Sequence, residues 1–156
     1  MRPEKISIYL TTIAVIVLAS AHFMQHMLDL TPCELCIWQR YPYYIILFGA
    51  VLVPLHKEML ALWMQIIALF MGLALALYHS GIERNLWEGF TSCSTSPQKG
   101  QSVEDIIAQI QSAPLTRCDQ IEFTIMGLSF SNINALISLI MLLGSLYFLK
   151  QWKIYG

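Results

Sequence analysis

Residues 59–82 of this 156-residue chain read MLALWMQIIALFMGLALALYHSGI and contain no Asp, Glu, Lys or Arg. A helix needs about 20 apolar residues to cross the hydrocarbon core of a bilayer. This segment is longer than that, and it lacks the strict two-residue alternation that a membrane β-strand shows. It therefore predicts a transmembrane helix over residues 59–79.

Three further stretches lack all four charged residue types: 6–28, 41–56 and 123–149. The first and last are long enough to span a bilayer, whereas the middle one reaches spanning length only if residues 37–40 join its helix. The sequence thus predicts one membrane domain over residues 1–156. It is an all-α bundle of four transmembrane helices, at about 6–27, 37–54, 59–79 and 129–149.

The composition supports a membrane protein. Apolar residues make up 56% of the chain and charged residues 12%, whereas an ordinary soluble domain is about 25% charged. This balance excludes a soluble globule and a disordered chain. The formal net charge of −1 gives no basic excess for binding nucleic acid, so the partner that we expect is the lipid bilayer.

Two loops of unequal length connect the predicted spans on one side, residues 28–36 and residues 80–128. In the longer loop, apolar residues recur at helical spacing after Ser102, which with Asp105 fits a capping box. They are Val103, Ile106, Ile107 and Ile110. We predict a short amphipathic helix here, which lies either on the membrane surface or on a small core of the loop itself.

Basic residues are denser in the two termini and the 53–58 turn than in the two loops, which indicates cytoplasmic termini and outward-facing loops. Residues 19–21 read ASA and could mark a cleaved signal peptide. The apolar run continues past them to Leu28, which favours an uncleaved span. The sidedness of the loops is the same in both cases.

All four cysteines fall in these loops, Cys33 and Cys36 in the short one and Cys93 and Cys118 in the long one. Outside the cytoplasm, disulfides persist, and of the three possible pairings the one within each loop is the natural choice. The C-x-x-C spacing is that of a redox-active dithiol. As a structural staple it would be poor, because closing so small a ring gains little chain entropy.

The dithiol precedes the second predicted span. The positive end of that helix favours a thiolate at Cys36, and Arg40 lies one helical turn further on, where it can place a charge beside Cys36 or beside an anionic ligand. Alternatively, Arg40 is a snorkelling residue of the membrane interface. A C-x-x-C pair can also bind zinc, but two more ligands are needed and the second cysteine pair is distant in sequence. We therefore expect no metal.

Three histidines lie near the outer ends of the predicted spans. His22 and His26 are four positions apart on the first, and His79 ends the third. Such a set could bind haem across two spans. We favour the simpler interpretation, in which they are polar residues that form hydrogen bonds at the depth of the lipid headgroups.

Several short motifs together point to a known family. They are QH at residues 25–26, PCELC at 32–36 with QR at 39–40, YHSGIE at 78–83, CDQ at 118–120, MGLS at 126–129 and NA at 134–135. In this order and with four spans, they resemble the DsbB family, the disulfide bond formation protein B of bacterial inner membranes. That family belongs to the relay that keeps the periplasm oxidising.

The resemblance implies a four-helix bundle around a quinone-reactive site near the outer surface. It implies that Cys33–Cys36 is the quinone-linked disulfide and that Cys93–Cys118 meets a periplasmic DsbA-like protein of the thioredoxin fold. Arg40 matches the arginine of the family's quinone site, and His79 matches a position near the quinone. One departure is Phe123, where family members often carry Trp.

The expected function is that of an inner-membrane thiol:quinone oxidoreductase that supports disulfide bond formation. The reduced partner would attack Cys93, Cys118 would then attack Cys33, and the freed Cys36 would pass electrons to ubiquinone or menaquinone. Three rivals stay open. They are a DsbI-like paralogue with one dedicated partner, a non-enzymatic membrane protein with two structural disulfides, and a haem-bearing quinone oxidoreductase.

Overall fold

The computed structural model describes residues 3–87, 89, 118, 124–125 and 127–155. It is mostly helical, with one two-stranded hairpin. In chain order the elements are α1 (Pro3–Met27), α2 (Glu34–Trp38), α3 (Tyr41–Ala50), α4 (Glu58–Glu83), β1 (Thr124–Ile125), β2 (Leu128–Ser129) and α5 (Phe130–Tyr155).

Three of these helices, α1, α4 and α5, are long and apolar enough to cross a membrane. They correspond to the first, third and fourth spans that the sequence predicts. Such long uncharged segments cannot be exposed to water as helices, because a helix that is apolar on all sides must be covered by protein or by lipid. The helical membrane fold is therefore confirmed for these three segments.

The second predicted span differs from the expected single helix. α2 ends at Trp38, a short turn follows, and α3 begins at Tyr41. Pro42 explains the break, because it lacks an N–H and its ring would clash with the Trp38 carbonyl in a continuous helix. The ten residues of α3 rise only about 15 Å. Beyond α3 the chain continues in tight turns, in which the N–H of each residue from Val51 to Val53 bonds the carbonyl three positions earlier.

α4 lies at the centre of the bundle and contacts α1, α3 and α5. Its apolar stretch is 44% buried inside the protein, against 28% for α1 and α5, so the outer two helices present more of their surface to lipid. We call the apolar interior the bundle core. Its members include Leu10 and Leu18 of α1, Ile46 of α3, Leu62 of α4 and Met141 of α5.

One amide ties three helices together inside the bundle core. Gln65 of α4 is fully buried, and its Nε2 donates to Thr11 Oγ1 of α1 at 3.3 Å and to the Ile46 carbonyl of α3 at 3.1 Å. Small residues let these helices approach: a Cβ added to Gly72 of α4 would lie 3.3 Å from the Pro42 ring. Such close approach and such interhelical hydrogen bonds are typical of membrane bundles.

The C-terminal end of α4 is closed by a defined turn. Asn85 adopts a left-handed conformation (φ 54°), and the next N–H, from Leu86, bonds the Gly81 carbonyl five positions earlier at 2.9 Å, as in a Schellman motif. Trp87 then folds back over Gly81, stacks on Tyr78 and donates its indole N–H to the Tyr78 carbonyl. A Cβ at Gly81 would lie 2.0 Å from the Trp87 ring. The packing of this ring against α4 therefore requires glycine at position 81.

A short hairpin leads into the last helix. Ile125 pairs with Leu128 in antiparallel register, and Gly127 (φ 81°) supplies the left-handed turn residue between them. β2 runs directly into α5. The predicted amphipathic helix near residues 103–110 and the predicted site residue Cys93 lie outside the described residues.

Candidate functional site

The C-x-x-C pair is held by the first turn of α2. Cys33 is the N-cap of this helix, and its sulfur accepts a hydrogen bond from the Cys36 backbone N–H at 3.3 Å. One helical turn brings the second sulfur back over the first, so that the Cys33 thiol donates to Cys36 Sγ at 2.9 Å. Both residues are free thiols in this structure.

The two thiols have opposite acidities. Contact with the Cys118 thiol lowers the pKa of Cys33, but its hydrogen bond to Cys36 and its burial raise that pKa to about 12. The hydrogen bond from Cys33 lowers the pKa of the Cys36 thiol in spite of burial. Cys36 is therefore the more acidic thiol of the pair. The largest cause of the lowered pKa of Cys36 is the hydrogen bond from the neighbouring thiol. The sequence-based expectation instead attributed a thiolate at Cys36 to the positive end of a long helix.

Cys118 lies beside Cys33. Together with Leu35 and Ile82 these two cysteines form a small buried group, which we call the cysteine cluster. The sulfurs of Cys33 and Cys118 and the Nε2 atom of His79 all lie within 4.8 Å of one another. The sequence groups Cys118 with Cys93 because they share a loop; in space, the described partner of Cys118 is the C-x-x-C motif.

His79 reaches the cysteine cluster from α4 and is 3% exposed. Its Nε2 lies 3.8 Å from Cys33 Sγ and 3.8 Å from Glu83 Oε1. On the other side of the ring, Nδ1 lies 2.7 Å from the amide nitrogen of Gln39, whose oxygen accepts from Asn134 Nδ2 at 2.5 Å. Because an amide N–H donates to Nδ1, the neutral ring carries its proton on Nε2, which faces the sulfur.

A series of buried hydrogen bonds extends from this histidine into the bundle, and we call it the polar chain. The Tyr43 hydroxyl donates to Asn134 Oδ1 at 2.5 Å and lies 3.2 Å from Ser138 Oγ. The series therefore runs Ser138, Tyr43, Asn134, Gln39, His79 and joins α3, α4 and α5. Each member has a partner, as buried polar groups require.

Glu83 is a buried carboxylate next to the histidine, with a side chain 7% exposed. The hydroxyls of Ser129 and Ser131 both donate to its Oε2 at 2.5 Å. These serines come from β2 and from the first turn of α5. The hairpin that precedes α5 thus helps to position an acidic group at the outer end of α4.

A cavity of about 390 Å³ connects these groups, a volume within the range of small-molecule sites. Its walls come from α1, α4, α5 and the α2–α3 segment. The polar lining includes Cys33, Cys36, Gln39, Arg40, His79 and Glu83, and the apolar lining includes Ile16, Val17, Ile133 and Ile137.

Arg40 enters the cavity from the turn between α2 and α3. Its Nη1 donates to Gln25 Oε1 of α1 at 2.7 Å, which fixes the guanidinium against the opposite wall. Gln25 and Met24 line the same cavity. The structure therefore places Arg40 in the cavity that Cys36 lines, with its head group held by α1.

The other two histidines of the haem hypothesis make a different contact. The rings of His22 and His26 are stacked, with centroids 6.1 Å apart, and His22 Nε2 lies 2.9 Å from the Tyr44 hydroxyl. Neither of them lines the described cavity that His79 lines. Their geometry is that of hydrogen-bonding and stacking residues.

The predicted site residues Cys33, Cys36, Arg40 and His79 therefore share one cavity, and Cys118 contacts its edge. The sequence-based reasoning missed Gln39 and Glu83. A signal for both was present, because Glu83 follows His79 by one helical turn and Gln39 precedes the charged Arg40 in an otherwise apolar segment.

Membrane-length helices around a pair of thiols of opposite acidity are typical of membrane-embedded thiol oxidoreductases. Sequence comparison gives the family. Residues 3–148 match the model of the family described as Disulfide bond formation protein DsbB, and the chain therefore belongs to the DsbB family. This confirms the resemblance found in the sequence motifs. It makes the protein a member of a family of membrane oxidoreductases of disulfide bond formation.

A curated relative is also similar along most of its length. It is "Uncharacterized protein RP370" of Rickettsia prowazekii (strain Madrid E), 30% identical over 149 residues. The match covers 91% of this chain and 85% of the relative. The similarity thus extends well beyond the cysteine motif.

Proposed function

We propose that this protein is a thiol:quinone oxidoreductase of the bacterial inner membrane. It reoxidises a periplasmic DsbA-like protein of the thioredoxin fold and passes the electrons to membrane quinone. The observation that supports this function best is the position of Cys33, which contacts Cys36 on one side and Cys118 on the other at the wall of one cavity.

Cys33 is placed to exchange partners between two disulfides. Electrons from the soluble partner would reduce a Cys93–Cys118 disulfide. The Cys118 thiolate would then attack Cys33 Sγ, so that a Cys33–Cys118 bond forms, the Cys33–Cys36 bond breaks, and Cys36 leaves as a thiolate. Thiols of lower pKa are better leaving groups, and the lowered pKa of Cys36 favours this direction of cleavage.

The cavity residues fit a quinone. The aliphatic wall from Ile16, Val17 and Ile133 suits a flat ring, and the Arg40 guanidinium can stabilise negative charge on a ring oxygen. Quinone, when bound, would supply an acceptor for two electrons and two protons. Cys36 would be the electron donor on the protein side.

Two groups beside Cys33 are suited to hold the protons that the dithiol releases. His79 Nε2 lies 3.8 Å from both the sulfur and the Glu83 carboxylate. As neighbours of the cavity, the imidazole and the carboxylate can keep those protons close to the acceptor.

We further propose that residues 1–156 form one domain with four spans, the second at about residues 37–54, from the end of α2 through α3 into the turns that follow it. Hydrogen bonds to the carbonyl three positions earlier recur from Val51 to His56, interrupted at Pro54, which has no N–H. Such turns rise about 2 Å per residue. This is enough to extend the 15 Å of α3 across most of the hydrocarbon core. The termini would be cytoplasmic and the cysteine loops periplasmic.

A disulfide-trapping experiment tests the exchange step. The double variant Cys36→Ser, Cys93→Ser keeps Cys33 and Cys118, and we expect mild oxidation to link them within one chain, as seen by mass spectrometry of peptides. The matched control Cys33→Ser, Cys93→Ser keeps Cys36 and Cys118 and should link far more slowly. Equal rates in the two variants would contradict the exchange through Cys33.

A direct assay tests the whole function. Protein purified in detergent is mixed with a reduced DsbA-type protein and a soluble ubiquinone or menaquinone analogue, and quinone absorbance is followed. We expect reduction with one quinone consumed per disulfide formed in the soluble partner. If the reduced partner does not reduce the disulfides of this protein and the quinone spectrum stays unchanged, the protein is instead a membrane protein with structural disulfides.

A further inference from the structure

We propose that the reduced protein binds one thiophilic metal ion, with Zn²⁺ as the reference ion, through Cys33, Cys118 and His79. Cys36 completes a tetrahedral set. Binding itself is independent of the proposed function. The consequence that such an ion arrests the enzyme in its reduced state rests on that function.

The distances are close to those of a zinc site. Zn–S bonds of about 2.3 Å and Zn–N bonds of about 2.0–2.1 Å at tetrahedral angles require ligand atoms roughly 3.5–3.8 Å apart. Cys33 Sγ and His79 Nε2 are 3.8 Å apart already, and Cys118 Sγ lies within 4.8 Å of both. An inward shift of about 1 Å by Cys118 would bring these three donors to that spacing. Cys36 Sγ lies 2.9 Å from Cys33 Sγ outside this group of three, and it would have to turn toward the ion to become the fourth ligand.

The donor set selects soft ions. Thiolates with an imidazole suit zinc and monovalent copper, whereas calcium and magnesium prefer oxygen ligands. The three residues come from three separate parts of the chain and are all buried, with Leu35 and Ile82 packed around them. Burial of this kind is typical of structural zinc sites. The fold thus removes the objection that distance in sequence raises against zinc.

The support behind the histidine can adapt to a metal. Ligation through Nε2 moves the ring proton to Nδ1, which then needs a hydrogen-bond acceptor. The Gln39 amide, now 2.7 Å away, supplies its oxygen after a half-turn. Asn134 can turn its own amide in response and then donate to the hydroxyl of Tyr43, with which it is already hydrogen bonded. Each coordinating thiol gives up its proton to solvent as the metal binds.

Binding depends on the redox state. A disulfide between Cys33 and either of its neighbours uses two of the four donors, so the oxidised protein keeps at most one thiolate and His79. The ion therefore binds only to the reduced cysteine cluster, after the partner has delivered electrons and before they pass to an acceptor. Bound there, it occupies the sulfurs that must exchange.

The test uses the full chain in detergent under anaerobic conditions, with Co²⁺ as a spectroscopic probe and Zn²⁺ as competitor. Fully reduced protein should bind one equivalent of Co²⁺ with the sulfur-to-metal charge-transfer band and the intense visible bands of a tetrahedral thiolate site. One equivalent of Zn²⁺ should abolish them. Protein oxidised at its cysteines should show neither band.

Two variants locate the site, and a third is a control. Cys118→Ser and His79→Gln should each weaken Co²⁺ binding at least tenfold and shift the visible bands. His22→Ala removes a histidine from the stacked pair on α1 and should leave affinity and spectrum unchanged. Far-UV circular dichroism confirms that each variant is folded, and the comparison of reduced with oxidised wild type needs no variant.

The outcomes separate this proposal from the proposed function. Unchanged binding in folded Cys118→Ser and His79→Gln would place the ion on the C-x-x-C pair alone and overturn the proposal, as would equal binding by oxidised protein. Failure of quinone reduction together with the expected Co²⁺ spectra would overturn the proposed function and leave the metal site standing. Quinone reduction by a protein that does not bind Co²⁺ would overturn the metal site and leave the proposed function standing.

Discussion

The bundle core and the cysteine cluster are built partly on the same helix, yet they depend on different interactions. In its middle, α4 presents Leu62 and Leu69 to apolar neighbours; at its outer end it presents His79 and Glu83 to sulfur, amide and hydroxyl groups. The core depends on shape, whereas the outer end depends on which atoms carry protons. Substitutions in the two regions should therefore have separable effects on stability and on chemistry.

The largest effect that we expect in the cysteine cluster comes from Cys36→Ser. The lowered pKa makes Cys36 the more acidic thiol of the pair, and the raised pKa of Cys33 makes that thiol a poor substitute. Loss of Cys36 should therefore lower the rate of quinone reduction at least about 100-fold. Quinone absorbance under partner-driven turnover measures this. Thermal unfolding should stay near that of the wild type, and a variant that retains full activity would remove Cys36 from the reaction.

The corresponding change in the bundle core is Leu62→Ala. Leu62 is 1% exposed, and the cavity left behind should lower the free energy of unfolding by about 2 kcal/mol, near the lower end of the range for core leucines because lipid replaces water as the reference. Unfolding curves of the variant and the wild type, recorded in detergent, measure this difference in the free energy of unfolding. The KM for quinone should change less than twofold; a large rise would show that the two regions are not independent.

A smaller effect is expected from Arg40→Leu. Loss of the guanidinium that faces the cavity should raise the apparent KM for quinone about tenfold, equivalent to about 1.4 kcal/mol, with a modest change in kcat. Arg84→Leu is the matched control, because Arg84 also lies near the outer end of α4 but hydrogen-bonds Asn132 and does not line the described cavity. Equal KM values for the two variants would remove Arg40 from the quinone site.

The subtlest test concerns the acidity of Cys33. The hydrogen bond to Cys36 raises the pKa of Cys33, so the reduced wild type should be alkylated by iodoacetamide first at Cys36 at pH 7. In Cys36→Ala that contribution disappears, the pKa of Cys33 should fall, and Cys33 should be alkylated several-fold faster than in the wild type. Peptide mass spectrometry over time reads both rates. Slower alkylation of Cys33 in the variant than in the wild type would show that the hydrogen bond to Cys36 does not raise the pKa of Cys33.

The helices of the fold could be predicted because charge is expensive in lipid, and its absence over twenty residues is a strong signal. The break in the second segment was also present in the sequence, in Pro42, whose effect on a preceding helical turn is known. Pro42 predicts a bend at the start of this helix, whereas the division into α2 and α3 is seen only in the structure. Length and apolar content predict where a span lies, but they do not show whether it is straight.

The site was predictable only in part. Cys33, Cys36 and their unequal reactivity follow from local spacing, which a sequence displays directly. The approach of Cys118 to Cys33 depends on the path of a long loop, which no local pattern specifies. Gln39 and Glu83 matter because of their orientation toward His79, and side-chain direction follows from tertiary packing.

The polar chain from Ser138 to His79 has a consequence for biogenesis. When α5 first enters the bilayer, Asn134 and Ser138 have no Tyr43 or Gln39 to bond, because those residues belong to a different segment. Docking of the two segments satisfies them and, in the same event, orients the imidazole beside the sulfur. A half-assembled copy therefore carries exposed amides that quality-control proteases can detect, and its imidazole is not yet oriented beside the sulfur.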